Sequence, residues 1–253
     1  MLRNSKYFID LITLKSEMTF REYSSSTQKT YLRIVEDFLN FTDKEAIYIR
    51  KEDIERYLDK NLKTVSTNTV LVQLNALEFF FVEILGLNIT ENIRKYKRIF
   101  KKKDFISMSE YNKLMASVSE RSRLIYMIIK EVGFVAREIV SIKNTDIDYA
   151  KCTLKGFKIS KELAKDLMKY ADRQSSNNIF NFNECTLRHN NIRATTRILG
   201  KHYSFTDLSH SVALEMIKRG EEKRAVEYLR NKSLSGMRQY YRRAGYNYLK
   251  QDK

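Results

Sequence analysis

The chain has 253 residues, with 47 Lys and Arg against 31 Asp and Glu, which gives a formal net charge of +16. This length suits one large domain or two ordinary ones, and 43% hydrophobic with 31% charged residues excludes wholesale disorder. No apolar run approaches the roughly 18 to 20 residues of a membrane span. The 2 cysteines and 3 histidines are too scattered for a disulfide framework or a metal site, so we expect no metal or cofactor. The excess of positive charge is typical of a nucleic-acid-binding protein.

The first third of the chain predicts a small helical domain. Proline is absent and there are only 7 glycines, which favours long helices with few sharp turns. Helices are predicted over residues 4–20, after the Ser24–Thr27 cluster, over 51–61, and from Ser66 to Gly86. The second of them carries an apolar face at helical spacing, formed by Tyr31, Ile34, Val35, Phe38 and Leu39. Residues 1–93 are therefore predicted to form one helical domain.

A basic stretch separates this unit from the rest of the chain. Residues 94–98 read Arg-Lys-Tyr-Lys-Arg, and Lys101, Lys102 and Lys103 follow. Because charge density rises here while the apolar periodicity fades, residues 94–104 are predicted to be a basic linker. A DNA-contacting connector and a merely solvated linker fit the pattern equally well.

The second half predicts a mostly helical domain, 105–253, that contains one small β-hairpin. A helix start at Ser107–Glu110 and a helix over 121–132, closed by Gly133, come first. Residues 152–154 and 157–159 then alternate around a two-residue Lys155-Gly156 turn, as in a hairpin. Residues 175–203 lack clear periodicity. Further helices are predicted over 160–173, 207–219, 221–229 and 234–250.

The order of these elements resembles the tyrosine recombinases, also called the phage integrase family. The segment from Gly133 to Ile142, followed by Asp146–Asp148, is similar to a motif of that family. Thr27–Tyr31 with Phe38, and Thr67–Thr69 with Phe79–Phe81, resemble helices of its core-binding domain. The resemblance covers nearly the whole chain. It implies a helical, SAM-like core-binding domain and a catalytic-type domain that together form a C-shaped clamp around duplex DNA.

The resemblance also implies a chemistry that depends on two arginines. In the family, a tyrosine attacks a DNA phosphate and forms a 3′-phosphotyrosyl bond, while histidines and a hairpin lysine handle protons. Two guanidinium groups hold the non-bridging oxygens as negative charge develops on them. This chain has Val135 at the first arginine position and Ser209 at the second. Thr206 stands where the family has a histidine, and the family's Leu-Gly-His motif reads Leu229-Arg230-Asn231 here, which removes another histidine.

Four residues match the remaining family positions, and each has a simpler reading. Tyr240 matches the nucleophile but is equally suited to be an ordinary interfacial tyrosine beside Tyr241, which lies on the apolar stripe of the last helix. Lys155 matches the hairpin lysine, although a short turn favours lysine for solubility alone. Glu138 and His210 match an acid and a histidine of the motifs, and fit equally well as a surface acid and a packing histidine.

The two missing arginines predict an inactive DNA-binding protein. Loss of one preorganised charge-stabilising group typically slows catalysis by roughly 10²- to 10³-fold, whereas DNA affinity comes from many distributed cation–phosphate contacts. We therefore expect a phage or mobile-element regulator, or a recombination accessory factor, in the cytoplasm and associated with the nucleoid. Predicted DNA contacts are Lys29, Arg33, Thr67, Asn68, Lys101, Lys102, Lys103, Arg137, Lys143, Lys155, Lys158, Arg242 and Arg243.

Two other readings stay open. An active recombinase could use rearranged arginines, for which Arg188, Arg193, Arg197 and Arg219 are candidates by their position in the sequence. Arg137 is a poor substitute, because in a helix it points about 200° away from residue 135. A helical interaction module that is basic only through genomic drift is the third class.

The expected partners follow from the resemblance. Double-stranded DNA is the main one, with a second copy on a palindromic site or an active recombinase as further possibilities, and no membrane. Few residues follow the last predicted helix, so exchange of a long C-terminal segment between neighbours is not expected.

Overall fold

The computed structural model describes residues 6–93, 96–100, 102–174, 176–230 and 233–246. The chain divides into two compact units, Met1–Phe100 and Lys101–Lys253, each with a separate hydrophobic core. The predicted basic linker, 94–104, spans this division, and its Lys101 lies outside the described residues.

The first unit is helical, as predicted. Ser24 and Ser66 cap the second and fourth helices, because their hydroxyls accept hydrogen bonds from the backbone N–H groups of Thr27 and Thr69. A π-helical turn, Phe79–Ile84, continues the fourth helix and ends before Gly86. The helices are α1 (Phe8–Phe20), α2 (Ser25–Thr42), α3 (Lys51–Leu62) and α4 (Thr67–Glu78).

Aromatic side chains fill the core of the first unit. Phe79, Phe80 and Phe81 are all buried although they are consecutive in sequence. Phe81 packs edge-on against Phe38 of α2 at a centroid distance of 5.9 Å, and Phe79 packs against Tyr23 at 5.3 Å. The predicted apolar face of α2 is confirmed, since its central residues lie in this core.

The second unit contains eight helices among the described residues and one small sheet. The sheet joins β1 (Ile147–Asp148), β2 (Thr153–Leu154) and β3 (Phe157–Lys158) in antiparallel order. The predicted hairpin is confirmed as β2 and β3. The helices are α5 (Met108–Ala116), α6 (Glu120–Val132), α7 (Ala136–Val140), α8 (Lys161–Ala171), α9 (Glu184–Leu199), α10 (Phe205–Lys218), α11 (Glu222–Tyr228) and α12 (Leu234–Arg243).

Helix α9 is the main element that the sequence pattern missed. Its buried face is largely polar, because Asn191 and Thr195 lie there beside Leu187. These polar groups are satisfied internally, since the Asn191 amide donates to the carbonyl of Tyr203 and the Thr195 hydroxyl donates to the carbonyl of Asn191. A helix that buries hydrogen-bonded polar groups shows no apolar period.

Two further elements differ from the sequence-based expectation. Strand β1 was not predicted, because a two-residue strand has too short an alternating pattern to recognise. The last predicted helix, 234–250, ends at Arg243, and residues 247–253 lie outside the described residues. In the part of the chain that the structure describes, no helix has both the length and the hydropathy needed to cross a membrane.

Gly133 closes α6 at a position that requires glycine for two reasons. Its φ of +72° is left-handed, and a Cβ there would lie 2.6 Å from the carbonyl oxygen of Tyr228. Gly200 closes α9 at the same φ of +72°, but a Cβ there would have open space. Alanine substitutions at these two glycines therefore distinguish the cost of a left-handed backbone from the cost of a steric clash.

We expect Gly133→Ala to destabilise the chain more than the matched control Gly200→Ala. The control loses only about 1 kcal/mol of unfolding free energy from left-handed strain, and Gly133→Ala loses about 1–3 kcal/mol more because Tyr228 must move. Urea denaturation of both variants and the wild type measures the difference. Equal losses would contradict the close approach of Tyr228.

Candidate functional site

The first arginine position of the family motif lies at the start of α7. Val135 precedes the helix in an extended conformation, and its side chain is exposed. Its backbone N–H donates to Oε2 of Glu138 at 2.8 Å. The loop from Gly133 to Val135 therefore presents an apolar side chain at this position, with the Glu138 carboxylate close behind it.

A guanidinium group does lie beside this loop, but it comes from Arg230. Its Nη1 donates to Oε1 of Glu138 at 2.5 Å, and its Nη2 donates to Oε2 at 3.0 Å and to the carbonyl of Gly133 at 2.7 Å. The same group lies 5.2 Å from the ring centroid of Phe134 and 5.8 Å from that of Phe157. Arg230 thus joins the segment after α11 to the start of α7.

The backbone of Arg230 explains how the side chain reaches this place. Its φ of +52° is left-handed, which L-residues other than Asn and Asp rarely adopt. Arg230 occupies the glycine position of the family's Leu-Gly-His motif, so the backbone conformation suits glycine while the side chain is arginine. A bidentate arginine–carboxylate pair at a half-exposed site offsets part of this strain.

The second arginine position is filled by a small buried side chain. Ser209 lies on α10 at 4% exposure, and its hydroxyl donates to the carbonyl of Phe205 at 3.0 Å. Tyr228 lies next to it, and the Tyr228 hydroxyl donates to the carbonyl of Ile129. Burial raises the pKa of Tyr228, so this hydroxyl stays protonated. An arginine at position 209 would therefore meet the Tyr228 side chain.

Lys155, the lysine of the hairpin turn, contacts residues that follow α7. Lys155 has a left-handed φ of +47° in the turn between β2 and β3. Its Nζ donates to Oγ of Ser141 at 2.8 Å and lies 3.7 Å from Oδ2 of Asp146. The lysine is therefore tied to the segment after α7 by a hydrogen bond and a loose ion pair.

Tyr240 lies in an aromatic cluster between α10 and α12. Its ring stacks on His210 at a centroid distance of 4.2 Å and meets Tyr241 edge-on at 5.4 Å. Phe105 stacks on the other side of His210 at 6.0 Å. The Tyr241 hydroxyl donates to the His210 carbonyl, and lies 3.0 Å from Nδ1 of the same residue. The predicted burial of Tyr241 is confirmed.

The Tyr240 hydroxyl is buried beside an ion pair. Its oxygen makes no well-formed hydrogen bond within the described residues, although the Lys103 ammonium is near enough to act on it. Burial raises the pKa of Tyr240, and Lys103 opposes this rise. Lys103 itself is held by Oδ1 of Asp207 at 2.7 Å. Ionisation of this hydroxyl is therefore disfavoured, and the nearby cation is already paired with Asp207.

His210 is neutral in the same cluster. Burial, and then the nearby Lys103 charge, lower the pKa of His210 to about 4, while the Asp207 carboxylate opposes the shift. At neutral pH the ring is therefore uncharged and serves as a stacking surface between Phe105 and Tyr240.

The four matched residues thus fall into separate contacts. Glu138 pairs with Arg230, Lys155 contacts Ser141, and Tyr240 and His210 stack on each other. The sequence reasoning missed Arg230 and the role of Lys103. The sequence did contain one signal for Arg230, because this arginine stands at the glycine of the Leu-Gly-His motif. A glycine position suggests a left-handed backbone, and that conformation fixes the direction in which the long side chain leaves the main chain.

The four arginines proposed as substitutes line clefts or pair with a carboxylate. Arg193 and Arg197 line a cleft at the beginning of α6, and Arg219 lies in another cleft beside Lys158. Arg188 pairs with Glu184 one turn earlier on α9. The charged groups that act on the Tyr240 hydroxyl are instead Lys103 and Asp207.

The predicted DNA contacts differ in how accessible their polar groups are. Lys103 is half-buried on Asp207, and both ends of the Asn68 amide bond the backbone of Ile99. These two side chains are therefore engaged within the protein, and Thr67 is half-buried at the start of α4. The remaining described positions are exposed: Lys29, Arg33, Lys102, Arg137, Lys143, Lys155, Lys158, Arg242 and Arg243.

Comparisons with known proteins bear on the family. Residues 11–91 match the phage integrase N-terminal SAM-like domain. A tyrosine recombinase of Thermosipho africanus strain TCF52B is 26% identical over 145 residues, which cover 51% of each chain. The match therefore spans about half the length of this curated relative.

Solved structures are similar over most of both chains. A lambda integrase dimer bound to a COC′ core site superposes with a TM-score of 0.75 at 15% identity, covering 95% of this chain and 96% of that one. The Tn1549 transposon integrase in complex with transposon right end DNA superposes with a TM-score of 0.71 at 9% identity, covering 92% and 94%. Residues 11–91 are therefore of the phage integrase N-terminal type, and the fold of the chain is that of the tyrosine recombinases.

Proposed function

We propose that this chain is a DNA-binding member of the tyrosine recombinase family that does not cleave DNA. It acts as a phage or mobile-element regulator, or as an accessory factor for an active recombinase. The observation that carries the proposal is the state of the two arginine positions: Val135 and Ser209 supply no guanidinium, and the neighbouring Arg230 is neutralised by Glu138.

Arg230 supports loss of catalysis because of where its donors point. Three of its contacts go to the Glu138 carboxylate and the Gly133 carbonyl. To hold a phosphate oxygen in the same bidentate way, Arg230 would have to leave a carboxylate partner of comparable strength. Two arginines aimed at the phosphate normally supply several kcal/mol of transition-state stabilisation.

DNA binding is supported independently of the chemistry. The net charge of +16 remains whether or not the site is active. Exposed cations such as Lys29 and Arg33 lie one turn apart on α2, in the domain that matches phage integrases. Since affinity comes from many such phosphate contacts, loss of a few site residues leaves it nearly unchanged. The lambda and Tn1549 integrases, which share the fold, are DNA-bound in their structures.

One observation favours the competing enzyme. Arg230 places a guanidinium beside the loop that normally carries the first arginine, so a DNA phosphate that displaced Glu138 would find a cation there. The second arginine would still be missing at Ser209, and Tyr240 would still be buried beside the Lys103–Asp207 pair. We therefore rank the inactive DNA-binding protein first.

A nicked suicide substrate tests the absence of cleavage. Such a substrate traps a covalent protein–DNA product because a short strand diffuses away after attack. With a site obtained by selection on genomic fragments, we expect no adduct from the wild type, since two missing guanidiniums slow the step by at least about 10³-fold. Tyr240→Phe serves as the control and binds DNA with unchanged affinity. An adduct that forms in the wild type and disappears in Tyr240→Phe would overturn the proposal.

Salt dependence tests the binding mode. We expect duplex affinity to fall steeply between about 50 and 200 mM salt, and the double variant Lys29→Gln/Arg33→Gln to reduce the slope of log K against log salt by about 2. Lys15→Gln/Lys63→Gln removes the same charge from exposed positions of the same unit and is the matched control. A salt-independent wild type, or equal effects of the two double variants, would contradict this surface assignment.

The aromatic cluster predicts a pH effect on stability. His210 titrates near pH 4 when folded and near 6.5 when unfolded, so the unfolded state binds more protons between these values. Stability is therefore lost as the pH falls through this window. The variant His210→Gln lacks this titration. We therefore expect its free energy of unfolding, relative to that of the wild type, to rise by about 2 kcal/mol as the pH falls from 7 to 5. Urea denaturation at both pH values measures it, and a pH-independent difference would contradict the buried neutral histidine.

A further inference from the structure

Three arginines line one cleft at the beginning of α6. Arg193 and Arg197 come from α9, and Arg121 comes from the first turn of α6. The cleft has a volume of about 670 Å³, which lies in the range of small-molecule sites. Ser119, Ser122 and Thr196 add hydroxyl groups to its wall. Among the described residues that line it, none is acidic.

The nearby carboxylates are occupied by other arginines. Glu120, next to Arg121 in sequence, pairs with Arg173 at 2.6 Å. Glu184, at the start of α9, pairs with Arg188. Within the described residues, the three cleft arginines make no ion pair, and Arg121 only stacks on Phe182 at 5.2 Å from the ring centroid. Their charges are therefore left without an internal counter-ion.

Two features raise the positive potential of the cleft. Arg193 and Arg197 are four residues apart on one helix, so their like charges lie on the same face and repel. The Ser119 side chain makes no capping hydrogen bond at the start of α6, which leaves first-turn N–H groups of a 13-residue helix at the same place. An anion held here would relieve the repulsion and accept from guanidiniums and hydroxyls together.

The cleft is distinct from the recombinase site. Gly133, beside Arg230, closes α6, whereas Ser119 and Arg121 lie at its opposite end. Thirteen helical residues span about 20 Å. Arg193 and Arg197, which sequence position alone made candidates for the chemistry, therefore belong to a separate feature.

We propose that this cleft is a binding site for a phosphate group. Guanidinium groups match phosphate oxygens bidentately, and three of them around a cleft of this volume suit the phosphates of a nucleotide-sized ligand or of a nucleic-acid backbone. The free-ligand form of the proposal stands apart from DNA binding, and the backbone form rests on the proposed function. The experiment separates these two sources.

The first arm uses inorganic pyrophosphate and the full chain. We expect a saturable change in the arginine Nε–H resonances of Arg121, Arg193 and Arg197 in ¹H–¹⁵N spectra of the wild type. In Arg193→Gln/Arg197→Gln, which keeps Arg121, we expect the change at Arg121 to be lost. The matched control is Lys165→Gln/Lys169→Gln, an exposed pair of cations four residues apart on α8, which keeps the response.

The second arm measures duplex binding of the same variants. If the phosphate comes from DNA, Arg193→Gln/Arg197→Gln lowers affinity by about 3-fold or more and the salt slope by about 1 to 2, whereas the lysine control does not. If the phosphate comes from a free ligand, pyrophosphate binds and duplex affinity is unchanged. If the wild type shows no pyrophosphate response and the arginine variant has no effect on duplex binding, the proposed phosphate site is wrong. If the wild type binds pyrophosphate at the cleft but does not bind DNA, the proposed function is wrong and the phosphate site is still supported.

Discussion

The ion pair between Arg230 and Glu138 determines how the family's site is arranged in this chain. It joins the segment that follows α11 to the start of α7, and it uses a left-handed backbone position to do so. Because the carboxylate takes two of the guanidinium contacts, the pair adds no net positive charge where a phosphate would need it. In this structure, the start of α7 and the segment after α11 are thus linked by an internal ion pair.

The residues around Tyr240 likewise contact one another. His210, Tyr240 and Tyr241 form a packed aromatic group, and the nearest charged groups, Lys103 and Asp207, satisfy each other. Burial keeps the histidine neutral and the tyrosine protonated, which suits packing and not proton transfer. In the function that we propose, residues that match a catalytic pattern in sequence serve as core and interhelical contacts, while the basic surface carries the interaction with DNA.

Sequence reasoning predicted most of the fold because capping serines and apolar periods are local signals. Ser24, Ser66 and Ser107 each mark a helix start that the structure confirms. It failed at α9, where the buried Asn191 is polar. The amide of Asn191 is hydrogen-bonded to the carbonyl of Tyr203, and a local sequence pattern does not reveal a hydrogen bond to a residue outside the helix. For the same reason it could name Val135 and Ser209 as departures but not Arg230 as their neighbour, because that contact joins residues 92 positions apart.

Tyr228 and Arg230 also govern what it would take to rebuild an active site. An arginine placed at 209 meets Tyr228, and one placed at 135 meets a carboxylate already engaged by Arg230. An arginine at position 209 would therefore depend on the placement of Tyr228, and one at position 135 would compete with Arg230 for Glu138. If the chain does not cleave DNA, as we propose, restoring cleavage would therefore require coupled changes at Tyr228 and Arg230, and not at positions 135 and 209 alone.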